Sequence, residues 1–394
     1  MRAVVTGRVT ERDDTLNSQP QLMNVADGAQ LWGGQYSRRF SEILAIQQEI
    51  ARAISGKLRL NPTAEDQKRL ASRATENAEA FQSYLKGRYY WNRRTEQTLK
   101  RAVEYFQQAI DKDPGYALAY AGLADCYAVY NSYQVELPRE SGPKAKAAAT
   151  KALEIDDTLA EAHASLGMTR MSYEWDWAGA EREFQRAIEL DPNYATARHW
   201  YAICLASTGR SEQAIASLKR AQELDPLSLI INADAGLVLH FARRDDEAIE
   251  QVRKALEMDP NFAAGHRPLG MAYEQKAMYA EAIVEFQKAL DVSRGNPFAL
   301  GSLGHAQAVS GNREKARQTL SDVLALSKRR YVPPFDIAVI YTGLDDKERA
   351  LEWLEKALDE RSLEMIFLKV DPRFDRLHAD PRFAGLLRRM GLAL

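Results

Sequence analysis

An alanine recurs every 34 residues along this chain, at Ala180, Ala214, Ala248, Ala282, Ala316 and Ala350. A fixed period of this length marks a solenoid, in which each unit buries its apolar face only against its neighbours. Four residues after each alanine stands an aromatic or aliphatic residue: Phe184, Leu218, Val252, Phe286, Leu320 and Leu354. Three further on comes another small or branched one: Ala187, Ala221, Ala255, Ala289, Val323 and Ala357. Offsets of four and three trace one face of a helix. A second cluster lies 12 or 13 residues ahead of each alanine, at Tyr201-Ala202, Ala235-Gly236, Leu269-Gly270, Leu303-Gly304 and Ile337-Ala338. Every unit therefore contains two helices.

Asp-Pro closes several units, with Pro114, Pro192, Pro226 and Pro260, because a ring that lacks an N–H cannot continue the second helix. Asp157 and Arg294 hold that place in two others, so those junctions should be less sharply fixed. Two degraded units extend the array forward, one carrying Ala102, Phe106 and Ala109, the next Ala145, Ala149 and Ala152. The second has an insertion around Asn131 to Pro143, where Gly and Pro predict a loop that is either a binding edge or a tolerated surface excursion. The third has one extra residue near Glu174-Trp175-Asp176-Trp177, where the tryptophans read as packing groups.

On these residues the chain resembles the tetratricopeptide repeat family, whose unit is a 34-residue helical hairpin. The resemblance implies an all-α, right-handed superhelical solenoid of about eight hairpins over residues 79–360. Residues 361–394 should then form capping helices, since Asp371-Pro372-Arg373-Phe374 recurs as Asp380-Pro381-Arg382-Phe383 and each pair reads as an Asp cap followed by proline.

The front end differs. Residues 2–11 and 15–25 alternate as strands, Asp27-Gly28 signals a hairpin before a third strand over 29–36, and Ser41 reads as the N-cap of a following helix. Val4-Val5-Thr6-Gly7-Arg8-Val9, Gln21-Leu22, Leu31-Trp32, Tyr36 and Gln47 with Glu49-Ile50-Ala51 resemble the second half of the TolB-like (FlgO-like) domain. The small α/β unit over 1–60 reads as partial, with a helical linker over 61–78. Pro20 departs from the pattern and implies an edge, a bulge or a decayed strand. Trp32 reads as sheet packing, with a ligand shelf as the alternative. Together the two parts resemble the carboxy-terminal half of bacterial signalling proteins that carry a serine/threonine kinase, a nucleotide cyclase or a winged-helix domain upstream.

Composition narrows the function. A net charge of −2 with 27% charged residues provides no basic field for nucleic acid. Cys126 and Cys204 lie too far apart in the array to pair and read as small buried groups. Gly301-Ser302-Leu303-Gly304 keeps the repeat's phase and is no phosphate loop, His266-Arg267-Pro268 is no kinase motif, and the six histidines show no metal-ligand spacing. No cofactor, metal or catalytic residue is expected, and neither a signal peptide nor a membrane span stands out. Fused to an upstream membrane helix, the chain would stand on the cytoplasmic or the extracytoplasmic face of a bacterial membrane.

In the resembled family the first helix of each unit lines the concave side. Carried onto this chain, the family's groove positions are Met168, Met171, His199, Ile203, Leu237, His240, Phe241, Arg267, Met271, Glu274, Phe298, His305, Phe335 and Val339. Methionines and aromatics on such a wall suit an apolar or amphipathic peptide. The expectation is a non-enzymatic scaffold or sensory module that binds protein or peptide and is coupled to a signalling effector. The rivals are a fragment of a kinase or cyclase, and a self-assembling scaffold.

Overall fold

The computed structural model describes residues 3–12, 15–24, 27–39, 42–58, 75–133, 135–293 and 299–392. β1 (Ala3–Arg12) and β2 (Thr15–Asn24) run antiparallel along their whole length. In place of one third strand there are two, β3 (Gln30–Gly33) and β4 (Tyr36–Arg39), both paired with β2. Pro20 accounts for the split. Its carbonyl accepts from the Gly34 amide at 3.0 Å, so its missing N–H faces the same side, at the gap between β3 and β4. β2 is therefore central, with a register shift at Leu22/Met23, and the proline sits where the ladder is already interrupted. Trp32 is half-buried, and a Cβ on Gly34 would lie 2.9 Å from it and 2.8 Å from Tyr36. α1 (Ile43–Lys57) packs on the sheet, with Ile46 and Leu22 both buried. The expected Ser41 cap, and the expected linker helix up to position 74, fall outside the described residues.

Eight helix pairs follow among the described residues. They are α2 (Ala78–Asn92) with α3 (Glu96–Lys112), α4 (Ala117–Val129) with α5 (Pro138–Ile155), α6 (Ala160–Thr169) with α7 (Trp177–Leu190), and α8 (Ala195–Ser207) with α9 (Ser211–Leu224). Then come α10 (Leu229–Phe241) with α11 (Asp245–Met258), α12 (Ala263–Gln275) with α13 (Tyr279–Val292), α14 (Leu300–Val309) with α15 (Arg313–Leu326), and α16 (Pro334–Gly343) with α17 (Lys347–Asp359). The six periodic alanines are fully buried where the paired helices meet. The small residue of each first helix permits that approach: a Cβ on Gly270 would lie 2.6 Å from the Phe286 ring, and one on Gly167 2.9 Å from Phe184.

Local chemistry sets the turns. The closing aspartates Asp113, Asp191 and Asp259 each accept from the amide two residues on, at 2.9–3.0 Å. Asp156 does the same for Thr158 at 3.0 Å, so the junction at Asp157 is closed by the same turn without proline; the one at Arg294 lies outside the described residues. The reverse turn inside each of the last six pairs carries a left-handed residue, at Trp175, Gly209, Arg243, Ala277, Gly311 and Asp345, again every 34 residues. The extra residue of the third unit is absorbed as a π-helical turn, Arg170–Glu174, ahead of Trp175. The insertion in the second unit is shorter than its Gly and Pro suggest. A 3-10 turn (Asn131–Tyr133) leads into α5, which starts at Pro138 and runs through Pro143. Ser141 Oγ donates to Asn131 at 3.1 Å, and Gly142 leaves room for Tyr173.

Consecutive first helices pack on one another, α16 on α14 and α12 on α10, more closely than consecutive second helices do. The first helices therefore form the inner side of the curve. Beyond α17 come two 3-10 turns, Leu363–Phe367 and Pro372–Leu377, and α18 (Pro381–Arg389). Asp371 and Asp380 cap the last two through the Arg373 and Arg382 amides, each with proline next. α18 lies on α17. Residues 363–377 go further, crossing the inner face as a strap.

Candidate protein-binding groove

The inner wall is apolar and closed over by the strap. Leu237, Phe241 and Met271 share one apolar cluster with Phe367 and Val370 of the strap. Phe367 stacks on Phe241 with ring centroids 4.6 Å apart, and Phe374 meets Phe335 edge-on at 5.3 Å. Met168, Met171, Ile203, Phe335 and Val339 are buried in a second cluster, which also takes in Met365, Ile366, Leu368 and Phe374. Leu237, Arg267 and Glu274 are half-buried, and Phe298 lies outside the described residues.

The histidines of the wall all lie beside carboxylates. His199 Nε2 lies 2.7 Å from Asp234, His240 Nδ1 2.6 Å from Asp245, and His305 Nδ1 2.9 Å from Glu274. Hydrogen bonds fix the His199 and His240 rings in orientation, whereas His305 Nδ1 has no hydrogen-bond partner among the described residues.

Beneath the strap lies a buried charged network. Arg373 forks onto Asp371, with Nη2 2.5 Å and Nε 2.9 Å from its oxygens, and Nη1 donates to Ser302 Oγ at 3.1 Å. Burial alone would raise the Asp371 carboxyl, but the Arg373 guanidinium outweighs it and holds the group below the usual carboxylate range. Asp336 has no such partner. Burial, then the neighbouring Glu364, push its carboxyl up to about 8 against the pull of Arg267 and Arg373. Asp336 Oδ2, Glu364 Oε2, Glu274 Oε2, Arg267 Nε and His240 Nε2 are buried without a hydrogen-bond partner among the described residues.

Strap and cap are tied to the third unit by two tryptophans. The Arg361 guanidinium lies 4.0 Å from the Trp175 ring centroid, and Trp177 Nε1 donates to the Met390 carbonyl at 2.6 Å. Sequence reasoning placed these rings in packing roles without seeing what they pack against. The only signal was the extra residue beside them.

No group of three or more His, Cys, Asp or Glu side chains is arranged to hold a metal ion among the described residues. Cys126 and Cys204 are free and buried. No described helix is long and apolar enough to cross a membrane.

Models of one repeat family match residues 174–233, 269–296 and 335–362, and the helix pairs there have its geometry. These are tetratricopeptide repeats. The same solenoid is seen in the Cut9–Hcn1 hetero-tetramer of the APC/C, which covers 79% of this chain and 55% of that one at 16% identity and a TM-score of 0.53. At that identity the likeness concerns the fold alone. Among curated proteins the chain is 27% identical over 124 residues to putative adenylate cyclase 3 of Rhizobium meliloti (strain 1021), spanning 32% of this chain and 21% of that protein. It is 26% identical over 135 residues to the transcriptional regulator HilA of Salmonella typhimurium, spanning 34% and 24%. The tetratricopeptide-repeat chain thus spans about a fifth to a quarter of the length of these relatives.

Proposed function

We propose that this chain is a non-catalytic protein-interaction module of a signalling protein, holding a protein or peptide ligand on the inner face of its repeats. The observation that carries the reading is the strap. A peptide segment lies along the first helices with aromatic side chains on Phe241 and Phe335 and an arginine on Ser302, and this seating supports the reading. Met168, Met171, His199, Ile203, Leu237, His240, Arg267, Met271, Glu274, Phe298, His305 and Val339 complete the proposed surface. The partial matches to a cyclase and to a transcriptional regulator support coupling to an effector domain. The front sheet, in its resemblance to a TolB-like unit, fits the same arrangement.

The test has two arms. Purified chain incubated with ATP and magnesium should yield neither cyclic nucleotide nor phosphoprotein. A protein that co-purifies with the chain, once isolated, should rebind it saturably in a calorimetric titration. Nucleotide turnover, or the absence of any partner that rebinds in pure form, overturns the reading.

A further inference from the structure

The strap has the contacts of a ligand and the faults of an imperfect one. Its strong contacts are aromatic, Phe367 on Phe241 and Phe374 on Phe335, and one buried fork, Arg373 between Asp371 and Ser302. They engage the fifth, seventh and eighth helix pairs, and Leu363–Phe367 also packs on α8 of the fourth. A terminal cap would need only α17. Beneath these contacts, Asp336 Oδ2, Glu274 Oε2, Arg267 Nε and His240 Nε2 on the wall lose water and gain no hydrogen bond, as does Glu364 Oε2 on the strap. The strap's outer ties, Arg243 to Asp375 at 2.8 Å and Arg376 to Asp345 at 3.7 Å, are exposed pairs of the kind that hold weakly. A segment that keeps the aromatic and arginine anchors and also pairs the wall's orphaned groups would be held better than the resident one.

We propose that the inner face is a receptor for an arginine–aromatic turn, Asp-Pro-Arg-Phe in its resident form, and that residues 363–377 are an intramolecular occupant which a partner's segment of the same chemistry replaces. This rests on the protein-binding reading above and adds both the partner's chemistry and the event that admits it. The turn is self-contained: Asp371 caps it, Pro372 fixes its first residue, and Arg373 and Phe374 project together onto Ser302 and Phe335. A partner therefore needs only a short segment to present both anchors. α18, seated on α17, stays in place as the end cap.

The probe is a fluorescent synthetic peptide of residues 363–377, titrated into the full chain and into full-length Arg373→Ala/Phe374→Ala, followed by anisotropy. Weakening the resident should tighten peptide binding at least tenfold, and a peptide lacking Arg and Phe should not bind. No saturable binding to a variant that keeps native circular dichroism and still unfolds cooperatively, at whatever lowered midpoint, overturns the proposal. If the variant does not fold, the wild-type chain with a protease site inserted after Arg361 is cut and challenged with excess peptide. Uptake of the label supports exchange, and its exclusion overturns it. The isolated protein partner separates this proposal from the broader reading. Tighter partner binding by the variant with no peptide binding overturns the arginine–aromatic chemistry alone. Peptide exchange with unchanged partner affinity overturns the placement of the partner on the inner face.

Discussion

Phe367 lies on Phe241 with the two ring planes 29° apart, joining the segment after the last repeat to the first helix of the fifth. No local periodicity brings these residues together; the contact exists only because the strap turns back along the inner face. A double-mutant cycle with Phe241→Leu and Phe367→Leu should give a coupling of about 0.5–1.5 kcal/mol in denaturant unfolding, the range for an aromatic pair beyond its area. A coupling indistinguishable from zero would mean that the strap does not sit there in solution.

The two Asp-Pro-Arg-Phe copies make an internal control. Arg373 is buried with Asp371, whereas Arg382 bonds Glu348 and Asp380 at the surface. Removing one partner of a buried pair leaves the other charge uncompensated, so Arg373→Ala should cost about 3–5 kcal/mol. Arg382→Ala, at an exposed site, should leave the unfolding midpoint within error of wild type. Equal effects in chemical denaturation would contradict the different seating of the two turns.

Asp336 predicts a pH dependence of definite sign. Its carboxyl stands at about 8 in the folded chain, through burial and then Glu364, against an ordinary value of about 3.9 when unfolded. The folded state thus holds the proton more tightly. Its contribution is fully present below about pH 4 and is lost as the pH rises through 8. Asp371, held low by Arg373 despite its burial, works in the opposite sense. The clean measurement is therefore the difference between wild type and Asp336→Asn. The asparagine chain should gain relative stability steadily from pH 5 to 8 and then level off. A flat difference refutes the buried, protonated carboxyl.

The array was legible in the sequence because its contacts are local. An alanine and a bulky residue four positions later describe one helix face, and Gly270 against Phe286 lies within a single hairpin. The turns were less legible. Glycine marks a left-handed position at Gly209 and Gly311, but Trp175, Arg243, Ala277 and Asp345 take the same conformation without advertising it. Pro143 misled in the other direction, since a helix already nucleated at Pro138 carries through it. The split third strand was hidden because its cause, Pro20, lies on a different strand. For the groove, the repeat's phase identified which residues line the wall but could not show that residues 363–377 cover it. The Asp-Pro-Arg-Phe motif specifies a turn, not the surface on which the turn rests.

Replacing Gly270 by leucine tests the close approach within a pair. A Cβ there would lie 2.6 Å from the Phe286 ring, so the larger side chain must push α12 from α13 at a cost of about 1–3 kcal/mol. Adding Phe286→Ala should return part of that loss in thermal unfolding. If the second change only worsens stability, the clash lies elsewhere.

Ala277 offers a gain rather than a loss. It holds φ at 59° in the turn between α12 and α13, where its Cβ crowds the following carbonyl and Gly would not. The left-handed conformation costs an alanine roughly 1–2 kcal/mol. Glycine in turn loses more backbone freedom on folding, by about 0.5–1 kcal/mol. Ala277→Gly should therefore stabilise the chain by about 0.5–1 kcal/mol, whereas Ala282→Gly, in the helix that follows, should destabilise it by creating a cavity at a fully buried contact. Opposite shifts of the unfolding midpoint for the same substitution five residues apart would establish the turn's backbone conformation. A loss at both positions would show that residue 277 is not left-handed.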